Sequence, residues 1–354
     1  MAASTGAKRL KILLAGDWHS DIHEEPLARA WEKQGHEVIC FGWHRYFDRS
    51  ISSRAQNKFL TGPRVWKLNR DLLALARRHK PEMVFIYRGS HVFASTLRSL
   101  RQALPGVRLV GYNNDDPFSP RYAPYVWRHF VRSLPDYDLA LAYRHRNLED
   151  FKRAGAPRVE LLRSWFLPDK NRPVELSAAE RERFGADVSF VGHFENDGRE
   201  KLIERLIGQE FDFKLFGPEW ERGAELSPAI RSLGKIGAVR GEDYNKALCG
   251  TQIAICLLSK LNRDTYTRRC FEIPAAGTFM LAEYTEDLAS LFAEGVEAEY
   301  FRDADELLAK IRRYLADDTL RRRIAKAGFE RVWRDGHDVE SRARQVVDWV
   351  QQIA

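Results

Sequence analysis

The chain has 354 residues, 44% of them hydrophobic and 30% charged, which excludes a disordered or low-complexity protein and suggests two domains. Its 57 Lys and Arg against 50 Asp and Glu leave a net charge of +7, a balance that suits nucleic acid, anionic lipid heads or a phosphorylated small molecule. The charge reads as dispersed, without a polybasic tail or an Arg-Gly run, which disfavours nucleic acid and leaves phosphate binding open. No apolar stretch approaches the ~18–20 residues that cross a bilayer, and Met1–Lys11 lacks the apolar core of a secretion signal. The expectation is a cytoplasmic protein, with peripheral association at the inner face of the membrane left open. Cys40, Cys249, Cys256 and Cys270 form no C-x-x-C pair and read as reduced, mostly buried thiols.

Strand-length apolar runs alternate with amphipathic stretches. Leu10–Ala15, Glu37–Gly42, Met83–Tyr87, Arg108–Tyr112, Leu139–Tyr143 and Val159–Leu162 read as strands, with helices such as Glu25–Gln34 and Ser95–Leu104 between them. Such short continuous runs predict a parallel sheet covered on both faces. Ser164–Asp187, with Pro168 and Pro173 and no strand pattern, reads as a connection. The alternation then restarts with Val188–Val191, Phe213–Phe216, Ile253–Leu258 and Phe279–Ala282. A last amphipathic helix spans Asp338–Ile353, with Val339, Val346, Val347, Val350 and Ile353 on its apolar face. Both halves open alike, LLAGDWHSD at 13–21 and SFVGHFENDG at 189–198, each a strand running into glycine, an aromatic and polar residues. Neither is a G-x-G-x-x-G dinucleotide fingerprint, but the repetition predicts two doubly wound half-folds facing one cleft.

The densest chemistry lies in Ser259–Gly277, which begins at a strand's carboxyl end. Lys260, Arg263, Arg268 and Arg269 surround Asp264, Glu272 and the hydroxyls of Thr265, Tyr266 and Thr267. Cations beside free helix amides suit a pyrophosphate, and Glu272 has the chemistry to accept both hydroxyls of a ribose. A solvated, ion-paired helix start is the bland alternative. In the first half, Asn113, Asn114, Asp115 and Asp116 follow a strand directly, so Asp116 and Asp115 suggest a general base or a sugar clamp. A turn cap before Pro117 is the structural alternative. Neither Asp115-Asp116 nor Asp136-Tyr137-Asp138 suggests a metal site: the first lacks D-x-D spacing and the second leads into a strand. Asp17, His19, Arg88 and His91 are expected to rim the same cleft, with His19 a second-choice base. Gly192 and His193 open the second half, where His193 suits phosphate or sugar. Trp18, Trp43 and Trp127 are sugar-stacking or core residues.

The Asp264-to-Glu272 spacing before Ala275-Ala276-Gly277 resembles the E-x7-E region of group 1 glycosyltransferases with the two-domain GT-B fold. The strings YRGSH (87–91), YNNDDPFSP (112–120), WRHFVRSLPDYDLALAYR (127–144), LNRDTYTRRCFEIPAAGTF (261–279) and DGHDV (335–339) resemble CgeB-like glycosyltransferases, and the resemblance runs from about Leu10 to Val350. It implies two Rossmann-like domains: an acceptor-side domain at 1–165, a connection at 166–187, a nucleotide-sugar domain at 188–336, and a terminal helix at 337–354 crossing back to the first. It implies sugar transfer from a nucleoside-diphosphate sugar to a glycan, lipid-linked or cell-surface acceptor. Glu272 corresponds to the family's ribose-binding acid. Asp264 replaces the usual first Glu, and Asn114 stands where many relatives carry a His. The four cations would neutralise the leaving diphosphate without a metal or other cofactor. A nucleotide-sugar 2-epimerase and a non-catalytic nucleotide-sugar or glycan-binding protein are the alternatives.

Overall fold

The apolar runs become strands because both of their faces are covered: Ile12–Ala15, Met83–Ile86 and Leu139–Ala142 are fully buried. A computed structural model describes residues 8–353, so the first seven residues of the stretch read above as lacking a secretion signal lie outside it. The chain divides into two compact units, one running to Arg163 and resuming at Val339, the other spanning Ser164–Asp338.

The first unit is a six-stranded parallel sheet of β1 (Lys11–Gly16), β2 (Glu37–Gly42), β3 (Met83–Tyr87), β4 (Arg108–Asn113), β5 (Leu139–Ala142) and β6 (Val159–Leu161). Its order is β2-β1-β3-β4-β5-β6, with Leu14 of β1 opposite both Cys40 and Phe85. The order reverses between β1 and β3, so the crevice at their carboxyl ends is the switch point where doubly wound sheets bind ligands. The terminal helix Val339–Gln351 buries Val346, Val347 and Val350 and packs on helix Glu24–Lys33 of this unit. There Trp31 Nε1 donates to the Ala343 carbonyl at 2.9 Å and Lys33 pairs with Glu340 at 2.6 Å.

The second unit is a five-stranded parallel sheet of β7 (Ala186–Val191), β8 (Phe213–Phe216), β9 (Thr251–Cys256), β10 (Phe279–Glu283) and β11 (Glu299–Phe301). Its order, β11-β10-β9-β7-β8, repeats that of the first unit and puts the switch point between β7 and β9. Strand β11 has no counterpart among the expected strands. It has three residues and starts at Glu299, whose buried carboxylate takes hydrogen bonds from Lys310 and Tyr314. The stretch 164–187, expected as the connection between domains, lies within this unit. Phe166 bridges to Asp338, Asn245 exchanges hydrogen bonds with the Arg172 backbone at 2.7 and 3.3 Å, and a Ser177–Glu180 capping box starts helix Ala178–Phe184. Among the described residues no helix is long and apolar enough to cross a membrane.

Candidate functional site

In the first unit, the loops leaving β1 and β3 meet at the switch point. Glu24, 2% exposed, turns back from its helix and accepts from the Asp17 amide at 2.8 Å and the Trp18 amide at 3.3 Å. It lies so close to Gly16 that a Cβ there would stand 2.3 Å from its Oε1 and push the carboxylate off these amides. Burial raises the pKa of Glu24 despite these amides. Trp18 and Arg88 sit in the left-handed region, at φ 57° and 66°. Positive φ costs a bulky L-residue about 1–3 kcal/mol and concentrates at ligand sites. The Arg88 guanidinium pairs with Asp115 and lies over the Trp127 ring at 5.3 Å. His23 Nδ1 and the Tyr87 hydroxyl are 3.0 Å apart.

In the second unit, the loops after β7 and β9 are tied into one wall. Arg199, 2% exposed, places Nε and Nη2 on the two Asp197 oxygens at 2.8 Å each, Nη2 also on Glu195 at 3.2 Å, and Nη1 on the His193 carbonyl at 2.9 Å. Ser259 donates to Glu195 at 2.9 Å, and Lys260 reaches the Asp197 carbonyl at 3.2 Å. Burial opposes ionisation of Glu195, but the nearby His193 imidazole at 3.6 Å, the Ser259 hydrogen bond and the charge of Arg199 overcome it and hold the carboxyl at about 2.

Arg269 occupies the crevice between β7 and β9. Its guanidinium lies over the Phe190 ring at 5.5 Å and donates from Nη2 to the Leu257 carbonyl at 3.3 Å, while Nε is buried without a partner. No carboxylate forms an ion pair with it among the described residues, which distinguishes it from Arg268 and Arg199. Gly192 makes room for this arrangement: a Cβ would meet Arg269 Nη1 at 2.9 Å and the Phe190 ring at 2.8 Å, so a side chain there would displace one of them. Behind it, Gly217 at φ 148° approaches so closely that its Cβ would stand 1.9 Å from the Gly192 carbonyl oxygen. Arg263, at φ 49°, is the third left-handed non-glycine residue on these loops, of six in the described chain.

Several expected site residues take other places. Asp116 is fully buried, and its Oδ1 accepts from the Phe118 amide at 3.1 Å and Asn147 Nδ2 at 2.9 Å, so the turn cap holds and a solvent-facing base does not. His91 is not on a rim: it is buried against Trp43 and Phe47, with Nε2 2.8 Å from Asn57 Oδ1. Burial pushes its pKa down to about 3, assisted by the charge of His129 and Arg88, so it is a neutral core histidine. Asn113 is fully buried and caps the Asp115 amide at 3.0 Å. Trp43 and Trp127 are buried, at 1% and 4% exposure. Asp136 and Asp138 pair with Arg98 and Arg101 at 2.8 and 2.9 Å.

Within the cationic window, the amides of Cys270, Phe271 and Glu272 already bond to the Thr267 and Arg268 carbonyls, so the helix start offers fewer free amides than expected. Thr265 donates to Asp287 at 2.5 Å, and Asp264 lies in the loop with its amide on the Ser259 carbonyl. Glu272 is 6% exposed; Arg268 Nε holds one oxygen at 2.7 Å and the Tyr244 hydroxyl the other at 2.6 Å. Burial and the neighbouring Glu272 raise the Tyr244 phenol well above its ordinary pKa, so it remains a neutral donor. His19 is exposed, Asp17, Asn114 and Asp115 are partly exposed, and His193 is half exposed. Sequence reasoning missed Glu24, Tyr244, Glu195, Asp197 and Arg199. Only the acids and Arg within 195–199, directly after a strand and glycine, carried a readable signal.

Residues 199–348 match the glycosyl transferase-like family model. No curated protein matches the chain significantly. Among solved structures, Anabaena HepE in complex with UDP-glucose superposes with a TM-score of 0.69 at 14% identity, covering 97% of this chain and 100% of that one. Sucrose-phosphate synthase from Thermosynechococcus elongatus gives 0.72 at 15% identity, with 98% and 99% covered. The α,α-trehalose 6-phosphate synthase from Burkholderia multivorans gives 0.65 at 12% identity, with 98% and 97% covered. The fold is therefore the GT-B fold of glycosyltransferases, and the segment 199–348 is glycosyl transferase-like in sequence.

Proposed function

We propose, from the GT-B fold and the glycosyl transferase-like second half, that this chain moves a sugar from a nucleoside-diphosphate sugar to a hydroxyl of a glycan or lipid-linked acceptor, as a CgeB-like enzyme. The observation that carries the reading is Arg269: a cation at the switch point of the second sheet, with a buried Nε lacking any partner and no carboxylate paired to it. A buried, unsatisfied charged donor costs several kcal/mol unless a ligand completes it, and an anion is the ligand that does. A diphosphate at this point lies against Gly192 and His193, with Arg263 and Arg268 on the same loop. HepE, which shares the fold, was captured with UDP-glucose, which supports a UDP-sugar as the donor class.

The cations then take over the charge of the departing diphosphate, the work a divalent metal performs in other transferases. Glu272, held by Arg268 and Tyr244, retains lone pairs for ribose hydroxyls because a carboxylate has about four acceptor sites. In the first unit, exposed His19 is the foremost base if the configuration inverts, and Asp115 follows, positioned by Arg88. Asp17, Asn114 and Arg88 are the sugar- or acceptor-facing set. The test is release of nucleoside diphosphate from a panel of nucleotide sugars, with glycan acceptors present and with EDTA added. Transfer that survives EDTA supports the reading. Donor interconverted without diphosphate release would make the chain an epimerase, and transfer restored only by manganese would remove the metal-free clamp.

A further inference from the structure

The positive charge, read from the sequence as dispersed, is concentrated. Residues 45–80 hold ten Lys and Arg and two Asp, a net +8 against +7 for the whole chain, so the rest is close to neutral. This segment forms helices Ile51–Phe59 and Pro63–His79 of the first unit. Both acids are taken, Asp48 by Arg64 at 2.7 Å and Asp71 by Lys67, whereas Arg45, Arg49, Arg54, Lys58, Arg77, Arg78 and Lys80 form no ion pair among the described residues. The same helices carry three of the chain's most exposed large apolar side chains: Ile51 at 87%, Trp66 at 60% and Phe59 at 48%.

The two properties share faces. In helix Ile51–Phe59 only Ser53 is buried, and Ile51, Arg54, Lys58 and Phe59 recur at helical spacing on one exposed side. In helix Pro63–His79 the buried stripe is Val65, Leu68, Leu72 and Ala76. Trp66, Arg70 and Arg77, spaced by four and seven, make an exposed one. The Lys58 ammonium lies over the Phe59 ring, 5.6 Å from its centre, so charge and apolar ring stand side by side on this helix.

We infer that this pair of helices is a docking surface for a bilayer bearing anionic phospholipid headgroups. Basic side chains find the phosphates, Trp66 has the amphipathic ring that settles at the headgroup level, and Ile51 and Phe59 enter the acyl boundary. A nucleic acid would satisfy the cations but leave Ile51 without a partner, since an aliphatic chain neither stacks on bases nor binds phosphate. The surface is independent of the proposed sugar transfer, because vesicle binding needs neither donor nor turnover.

The test is sedimentation of the full chain with vesicles of phosphatidylcholine alone or with about one-third phosphatidylglycerol. The expected result is binding to the anionic vesicles that weakens in high salt, with little binding to the neutral ones. Arg49→Gln, Arg54→Gln and Lys58→Gln together should weaken it about a hundredfold, and Ile51→Ser with Trp66→Ser about tenfold or more. All five positions are exposed, so unchanged melting and circular dichroism in both variants serve as the folding control. Equal binding to neutral and anionic vesicles, or variants that bind like the parent, would overturn the inference. Binding to single-stranded RNA with no binding to vesicles would assign the face to nucleic acid instead.

Discussion

Asp116 follows Asp115 at the end of β4, in the position a general base would occupy, and the structure makes it a strut. Asp116→Ala leaves the Phe118 amide and Asn147 Nδ2 without the oxygen they share at 3.1 and 2.9 Å, inside a fully buried environment. An unpaired buried donor costs about 1–3 kcal/mol, so the pair amounts to about 2–4 kcal/mol after partial relaxation. For a unit of this size that lowers the melting temperature by roughly 5–15 °C. Asp116→Asn keeps one acceptor oxygen and should lose less than half as much. Calorimetry or fluorescence melting gives the stability, and turnover is measured on the folded fraction well below the melting temperature. Reduced stability with near-normal turnover per folded molecule is the expected outcome. A variant that melts like the parent yet turns over about 10²–10⁴-fold more slowly would make Asp116 the base and refute the argument from burial.

Arg269→Gln should weaken UDP binding about ten- to a hundredfold in titration calorimetry, the worth of a charge-assisted hydrogen bond, while Arg302→Gln on the surface leaves it unchanged. Equal affinity in Arg269→Gln would return this guanidinium to a packing role over Phe190. Gly217→Ala places a Cβ 1.9 Å from the Gly192 carbonyl oxygen at φ 148°, so it should cost more than ~2 kcal/mol in denaturant unfolding and loosen UDP binding with it. A stable variant with full affinity would show that the β7 and β8 tips need no such contact. Burial depresses the pKa of folded His91 to about 3, so the unfolded chain binds the extra proton once pH falls below about 6.5. Stability is therefore lost as pH drops from about 6.5 towards 3, by roughly 4–5 kcal/mol in all, and His91→Gln should flatten that slope in urea unfolding measured across this range. An identical slope in the variant would mean that His91 titrates normally.

The sheets were legible because parallel strands covered on both faces leave an uninterrupted apolar signature, as in Met83–Tyr87 and Leu139–Ala142. Strand β11 was not, because Glu299 is an acid that becomes buried only through Lys310 and Tyr314, residues brought to it by a later helix. The switch points were legible as strand-then-glycine loops at 13–21 and 189–198, the second holding Gly192, whereas Arg269 stood out only as one of the cations that follow Ile253–Leu258. The individual roles were less legible, since a hydrophilic residue after a strand points either into solvent or back into the loop it stabilises. His91, Asn113 and Asp116 turned back, and so did Glu24, whose E-E-P context reads only as an ordinary helix start. Part of the DGHDV string also has a packing role: His337 stacks on Phe271 at 4.4 Å beneath the helix that carries Arg269 and Glu272.

The sugar transfer proposed above stands or falls on whether a nucleotide sugar binds the second unit at the crevice between β7 and β9. Titration of the full chain with UDP-glucose and a panel of other nucleotide sugars, each repeated with Arg269→Gln, tests that requirement directly. Saturable one-to-one binding of at least one sugar nucleotide, competed by its free nucleoside diphosphate and weakened about ten- to a hundredfold in the variant, is what the account predicts. Absence of binding by every nucleotide sugar, or binding that Arg269→Gln leaves untouched, would contradict it.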